Sequence, residues 1–334
     1  MRNSDIQRMP PAPGPIARAH HFNPQCWLSG FTDTGEKSGK LWVTDLKRRK
    51  QWPSNPLNAG HRRDFYRVSD PQVDPLYFEK RFSEIEDAIA PTLKRLDKER
   101  RAPGVEELDN LLSFAAVMFA RVPAFRPFIL GLEDSVQRSY FSEALQSPKS
   151  WVAALRRAGV PIDAPGASYE QAQQFEGGGY YLSAENEWYL YEGFRMVQHI
   201  IPILRARHWT TQISPSGSYI AADNPVAMDG PPEQKIGFES AELVFFPVSR
   251  HVLLCGTSAP VKPIAVNRWR IAAHNTFTML TAEEHVYSHA PDFCWLDEAG
   301  KYQTDWKLFG KESILRSFST GGDTPPCRLF FRSN

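Results

Sequence analysis

The sequence predicts an α+β fold: a largely helical middle, with a small antiparallel sheet built from N-terminal and C-terminal strands. Three observations carry that prediction. Between Pro75 and Arg207, apolar residues recur every three to four positions, the spacing of helices that bury one face. On either side of this region lie short apolar and β-branched runs, such as Leu41-Trp42-Val43-Thr44 and Leu243-Val244-Phe245-Phe246, which read as strands. Strand and helix do not alternate along the chain, so a parallel doubly wound sheet is not expected.

Length and composition set the bounds. A chain of 334 residues hides roughly 75% of its unfolded surface on folding. Apolar residues make up 42% of it, with 21 Phe and 9 Trp, enough for a sizeable core. Lys and Arg number 39 against 38 Asp and Glu, so no global field draws in nucleic acid or an acidic membrane. Nucleic acid remains a partner only through a local patch. Cys26, Cys255, Cys294 and Cys327 are dispersed, which argues against a zinc ribbon or a disulfide scaffold and suits a reducing cytoplasm. Residues 1–18 hold Pro10, Pro11, Pro13, Gly14 and Pro15 and no apolar core, the pattern of a flexible arm and not of a signal peptide. No apolar run approaches the length of a membrane span. The expected organisation is an arm at 1–18, a single α+β domain at 19–290 and a C-terminal extension at 291–334, in the cytoplasm.

Taken in order, the first element is the helix start at His20-His21-Phe22-Asn23-Pro24-Gln25. Asn23 is the expected cap and Pro24 the first helical residue; Leu28 and Phe31 then fall on one face. Residues 39–46 read as a strand, 47–50 as a basic turn, 51–53 as the returning strand and 63–68 as a third. A helix begins after Pro75 on Leu76, Phe78, Phe82, Ile85 and Ile89, and Pro91 is expected to kink or restart it before Arg101. Further helices are expected over 105–121, 124–145 and 149–159, the last closed by Gly159. Gly177-Gly178-Gly179 reads as a hinge beside Tyr180 and Tyr181, since no strand precedes it to make a phosphate cradle. A long helix is expected over 183–207 with Ser183 as cap, then strands at 210–213, 219–222, 243–246 and 252–255, a helix at 266–280 and an extended piece at 284–287. Beyond 291 no clear period remains.

Several of these stretches also carry a resemblance. His20-His21-Phe22-Asn23-Pro24-Gln25-Cys26-Trp27-Leu28, with Phe31 nearby, is similar to the His-His-Tyr-Val-Pro-Gln-Phe-Tyr-Leu opening of the bacterial family known as "domain of unknown function 4238". Asp64-Phe65-Tyr66, the acidic helix at Phe82–Glu86, Phe119-Ala120-Arg121-Val122-Pro123, Ala222-Asp223-Asn224-Pro225-Val226 and Phe246-Pro247-Val248-Ser249 resemble its later segments. Asn23 stands where the family has valine, Trp27 where it has tyrosine, Val122 where it has threonine and Ala222 where it has serine. The last two differences remove hydroxyls. The resemblance implies a family without an established activity.

The residue types in these stretches define the candidate site. If His20 and His21 lie in extended chain they face opposite ways, so one can enter a site while the other packs. Beside a helix N-terminus an imidazole is biased toward its neutral form, as a general base or metal ligand needs. His20, His21, Asp223, Glu86 and Asp64 are the candidate catalytic residues. Gln25, Arg121 and Asn224 are the candidate substrate-binding residues, with Arg121 for an anionic group. Asp223 is expected to approach one histidine, with Arg121 or Glu86 bordering the same cleft. The bland readings are a buried histidine clasp, an Asx turn at Asp223 and a structural Glu86–Arg121 ion pair. A His-Asn-His nuclease unit would need Asn58 and His61 closer to His21 in sequence. His285 and His289 would lie ~13 Å apart in a strand, and Lys47–Lys50 reads as a solvated hairpin tip. The leading function is a hydrolase of unknown substrate, nuclease-like or acting on nucleotides, with a histidine-led acid–base or metal site that admits a divalent ion. The alternative is a non-catalytic recognition or interaction protein in which the His-His-x-x-Pro motif is a structural clasp.

Overall fold

A computed structural model of the chain describes residues 19–69, 72–176, 183–229, 237–261 and 265–319. The proline-rich arm, the Gly177–Gly179 hinge with Tyr180 and Tyr181, Cys327 and the chain beyond 319 lie outside the described residues.

The chain opens with strand β1 (Ala19–His21), a single turn of helix α1 (Gln25–Leu28) and a 3-10 turn at Ser29–Phe31. Strands β2 (Leu41–Asp45) and β3 (Lys50–Ser54) form the expected hairpin. Its basic tip is closed by Asp45 Oδ1, which accepts the Arg48 N–H at 2.7 Å, and by Arg49 in a left-handed conformation. Strand β4 (His61–Arg63) returns to pair with β1. The helical middle follows: α2 (Tyr77–Glu99), α3 (Val105–Arg121), α4 (Phe125–Ala144), α5 (Pro148–Arg157), α6 (Tyr169–Glu176) and α7 (Asn186–Arg205). Strands β5 (His208–Ile213), β6 (Ala221–Ala222), β7 (Ala227–Asp229), β8 (Leu243–Pro247) and β9 (Val252–Thr257) come next. Helix α8 (Arg268–Thr281), capped by Asn267 Oδ1 on the Arg270 N–H, leads to β10 (His285–Ser288). The chain closes with a short hairpin of β11 (Trp295–Leu296) and β12 (Tyr302–Gln303), a 3-10 turn at Trp306–Leu308 and α9 (Lys311–Ser319).

The α+β class holds, and the sheets are more numerous than the single small one expected. One four-stranded antiparallel sheet, in the order β3-β2-β10-β6, joins N-terminal and C-terminal strands. A second, in the order β5-β9-β8-β7, is built only from residues 208–257. Its two central strands, β8 and β9, are buried on both faces, so they lack the polar alternation of a half-exposed sheet. Val244, Phe246, Val252 and Leu254 pack toward the helical layer, while Leu243, Phe245, Leu253 and Cys255 pack with Ile271, Ala272 and Phe277 of α8.

The opening segment is wedged into the larger core. Trp27, Leu28 and Phe31 are fully buried and share one cluster with α2, α3, α7, β2 and the second sheet. The Trp27 indole N–H donates to the Pro247 carbonyl at 2.8 Å and its ring stacks on Phe246. Gly30 is required here, because a Cβ would come within 2.9 Å of Ser249 Cβ.

Several local expectations are corrected. Asn23 does not cap α1: the flanking residue is Pro24 and no side chain bonds the first turn. The 63–68 strand is shorter and earlier, because Asp64 adopts a left-handed φ of 53° and turns the chain at Arg63. Helix α2 runs unbroken through Pro91, whose missing N–H orphans only the carbonyl of exposed residue 87. Helix α7 starts after Glu185 and not at Ser183. The aperiodic stretch after 291 contributes core: Phe293, Trp295, Trp306, Phe309 and Ile314 are buried against Ile220, Ala222, Met279 and Val286. Among the described residues no single helix is long and apolar enough to cross a membrane.

Candidate functional site

The two opening histidines lie in β1, so their rings diverge, and the two have different fates. His20 is fully buried. Its Nδ1 accepts the Tyr66 backbone N–H at 2.8 Å, and its ring stacks on the Tyr66 ring. A nitrogen that accepts carries no proton, so the bond fixes His20 as the neutral Nε2–H form. His21 is half-buried. Its Nδ1–H donates to the Ala59 carbonyl at 3.2 Å, and its Nε2 accepts from the Gln25 side-chain amide at 3.1 Å. Burial, then the neighbouring His61, push its pKa down to about 4, so it is neutral at physiological pH.

Arg121, at the end of α3, ties the motif to the helices. Its side chain is 1% exposed. One guanidinium nitrogen donates to the His21 carbonyl at 2.5 Å, another to Glu86 at 2.8 Å, and Nε reaches the Tyr66 hydroxyl at 3.4 Å. The Tyr66 hydroxyl donates to the Arg121 carbonyl at 2.7 Å, and burial pushes its pKa up to about 12. The guanidinium also lies 4.2 Å from the centre of the Phe82 ring, a cation–π contact. Five donors in a rigid fork suit this task, which a lysine could not perform. Arg121 thus meets the histidine segment at the His21 carbonyl and not at its ring, with Glu86 joined to it through the guanidinium.

Asp223 follows β6 and is also buried. The strand end does come beside the opening segment, where the Asn23 amide donates to the Asp223 carbonyl at 3.4 Å. The Asp223 carboxylate, however, accepts the backbone N–H groups of Glu283, Glu284 and His285 at 2.8, 2.8 and 2.9 Å. Burial pushes this carboxyl up, against those three donors, which favour the charged form. Its nearest imidazole is that of His285, at 3.9 Å, which also lies 3.7 Å from Asp45. The expected Asp223–histidine bond to His20 or His21 is therefore not formed: the carboxylate instead caps the turn into β10. Asn224 donates to the Thr281 carbonyl at 3.3 Å. Asp64 sits in its left-handed turn, with Arg63 and Arg67 at 3.5 and 3.6 Å.

Three imidazole arrangements escaped the sequence. His61 faces His21 across the β1–β4 pair, with ring centres 5.2 Å apart. His285 lies between two buried carboxylates, as described. His251 Nδ1 lies 2.8 Å from Asp97 Oδ1, binding the end of α2 to the β8–β9 turn. Its Nε2 is packed against Gly217, where a Cβ would come within 2.7 Å. The hint for His251 was its place two residues after the family-like Ser249, whose hydroxyl accepts the His251 N–H. Among the described residues no group of three or more His, Cys, Asp or Glu is placed to hold a metal ion. An open apolar groove lined by Pro202, Ile203, Arg207 and Phe238 involves none of the candidate residues.

No curated protein and no solved structure matches the chain. The family described as "Protein of unknown function (DUF4238)" matches residues 19–292, most of the length, from β1 to the loop after β10, and the chain belongs to that family.

Proposed function

We propose that this chain is a non-catalytic recognition or interaction protein whose histidine-led motif is a structural clasp. The observation that supports this reading most is the engagement of the Asp223 carboxylate by three backbone N–H groups, which leaves it bonded to neither His20 nor His21. An acid–base site needs a carboxylate or base free to exchange a proton with substrate. Here His20 accepts from Tyr66, Arg121 is spread over Glu86 and the His21 carbonyl, and His21 is too weak a base at neutral pH for efficient proton transfer. The near-equal charge totals favour a protein or small polar partner over nucleic acid.

The test is a hydrolysis panel on the purified full chain: aryl esters, aryl phosphate mono- and diesters, nucleoside triphosphates and single-stranded nucleic acid, with and without Mg²⁺, Mn²⁺ or Zn²⁺. The expected result is turnover at the buffer background throughout. Turnover abolished by His21→Ala, with the melting temperature unchanged, would restore the hydrolase reading.

A further inference from the structure

The β1–β4 pairing sets His21 directly opposite His61. Directly opposed residues of an antiparallel pair bring their Cβ atoms to about 4.5–5.5 Å on one face. The two rings lie 5.2 Å apart, inclined at 69°. Two imidazoles bound to one ion at about 2.0–2.1 Å and a tetrahedral angle have their ring centres roughly 5 Å apart. The spacing of the pair is thus already that of a shared ligand.

The orientation of His21 points the same way. Its Nδ1–H is held by the Ala59 carbonyl, so its lone pair is on Nε2, where only the Gln25 amide meets it among the bonds described. A backbone carbonyl on one ring nitrogen, with the other turned outward, is how proteins orient a metal-binding imidazole. Both residues are half-buried and reach solvent, so an ion can arrive with part of its water shell. Arg121 is the buried cation nearby, and Glu86 at 2.8 Å offsets its charge.

We propose that His21 and His61 form a two-imidazole site for a divalent transition ion of the zinc, nickel or copper class. Imidazole suits these ions; solvent completes the shell, and Gln25 either withdraws or turns its amide oxygen inward. Bound there, the ion staples β1 to β4 from the solvent side, opposite the buried His20 and Arg121 contacts. This inference is independent of the recognition reading and survives or fails separately from the hydrolysis panel.

Isothermal titration of the full chain with ZnCl₂ at pH 7.5, alongside thermal melting with and without the ion, tests it. The expected result is a saturable Zn²⁺ site and a raised melting temperature for wild type. Both should be retained by Gln25→Ala and weakened at least about tenfold by His61→Asn. The metal-free melting temperature of His61→Asn reports whether that variant folds; if it does not, His61→Gln at the same position replaces it. Equal Zn²⁺ affinity in wild type and the folded His61 variant would overturn the site, assigning any binding to other histidines. So would the absence of binding to wild type at millimolar Zn²⁺.

Discussion

At the scale of single residues, adjacent histidines do different work because they lie in a strand. His20 turns inward and satisfies a buried backbone N–H; His21 faces the other way, half-buried, with its Nε2 lone pair met by the Gln25 amide. The consequence is a pH dependence with a definite sign. His21 titrates near 4 in the fold and His274, buried in α8, near 3, against 6.5 for a free imidazole. Between those values the unfolded chain binds more protons, so stability is full above about pH 6.5 and falls as the pH drops toward 4 and 3. Glu79, pushed up to about 7 by burial, and Asp223, also pushed up by burial, act oppositely, while His289, lowered by burial, joins the two imidazoles. Urea midpoints should therefore fall from pH 7 to pH 5, and His21→Gln should flatten the fall. An identical fall in His21→Gln and wild type would show that His21 is not held neutral.

At the scale of elements, the clasp depends on how closely the segment 19–31 can approach its neighbours. Gly60 makes one such approach: it has φ of 64°, its carbonyl accepts the Asn23 N–H at 3.0 Å, and a Cβ would meet Asn23 Cβ at 2.7 Å. Gly60→Ala combines left-handed strain of about 1–2 kcal/mol with that collision. It should lower stability by at least about 2 kcal/mol in urea unfolding; a neutral effect would mean that Asn23 can move aside and the clasp is loose. The helical spacing of Leu28 and Phe31 made their burial legible in the sequence, as did the strand end carrying Asp223. The partners of the Asp223 carboxylate were not legible. They are backbone N–H groups some 60 residues on, and a backbone donor has no side-chain signature. The His251–Asp97 pair was hidden for a related reason, since 154 residues separate two unremarked side chains.

At the scale of the whole molecule, the chain is a helical layer, a buried sheet and α8, with a second sheet joining the two ends of the sequence. The antiparallel sheet class and the helical middle could be read from periodicity. The contribution of residues 293–314 could not, because Trp295, Trp306, Phe309 and Ile314 sit in pieces too short to show a period. Ending the chain at 292, the family limit, should expose Ile220, Met279 and Val286 and leave a product that aggregates on gel filtration; a monodisperse, cooperatively melting 1–292 would show that this cluster is dispensable. The central claim is that the opening motif holds the fold, and urea unfolding of His20→Ala measures it most directly. Removing the ring leaves the Tyr66 N–H orphaned in the core, worth about 1–3 kcal/mol, and opens a cavity beside Tyr66 besides. The account predicts a loss of at least about 2 kcal/mol; a loss within about 0.5 kcal/mol, the range of an ordinary surface substitution, would contradict it.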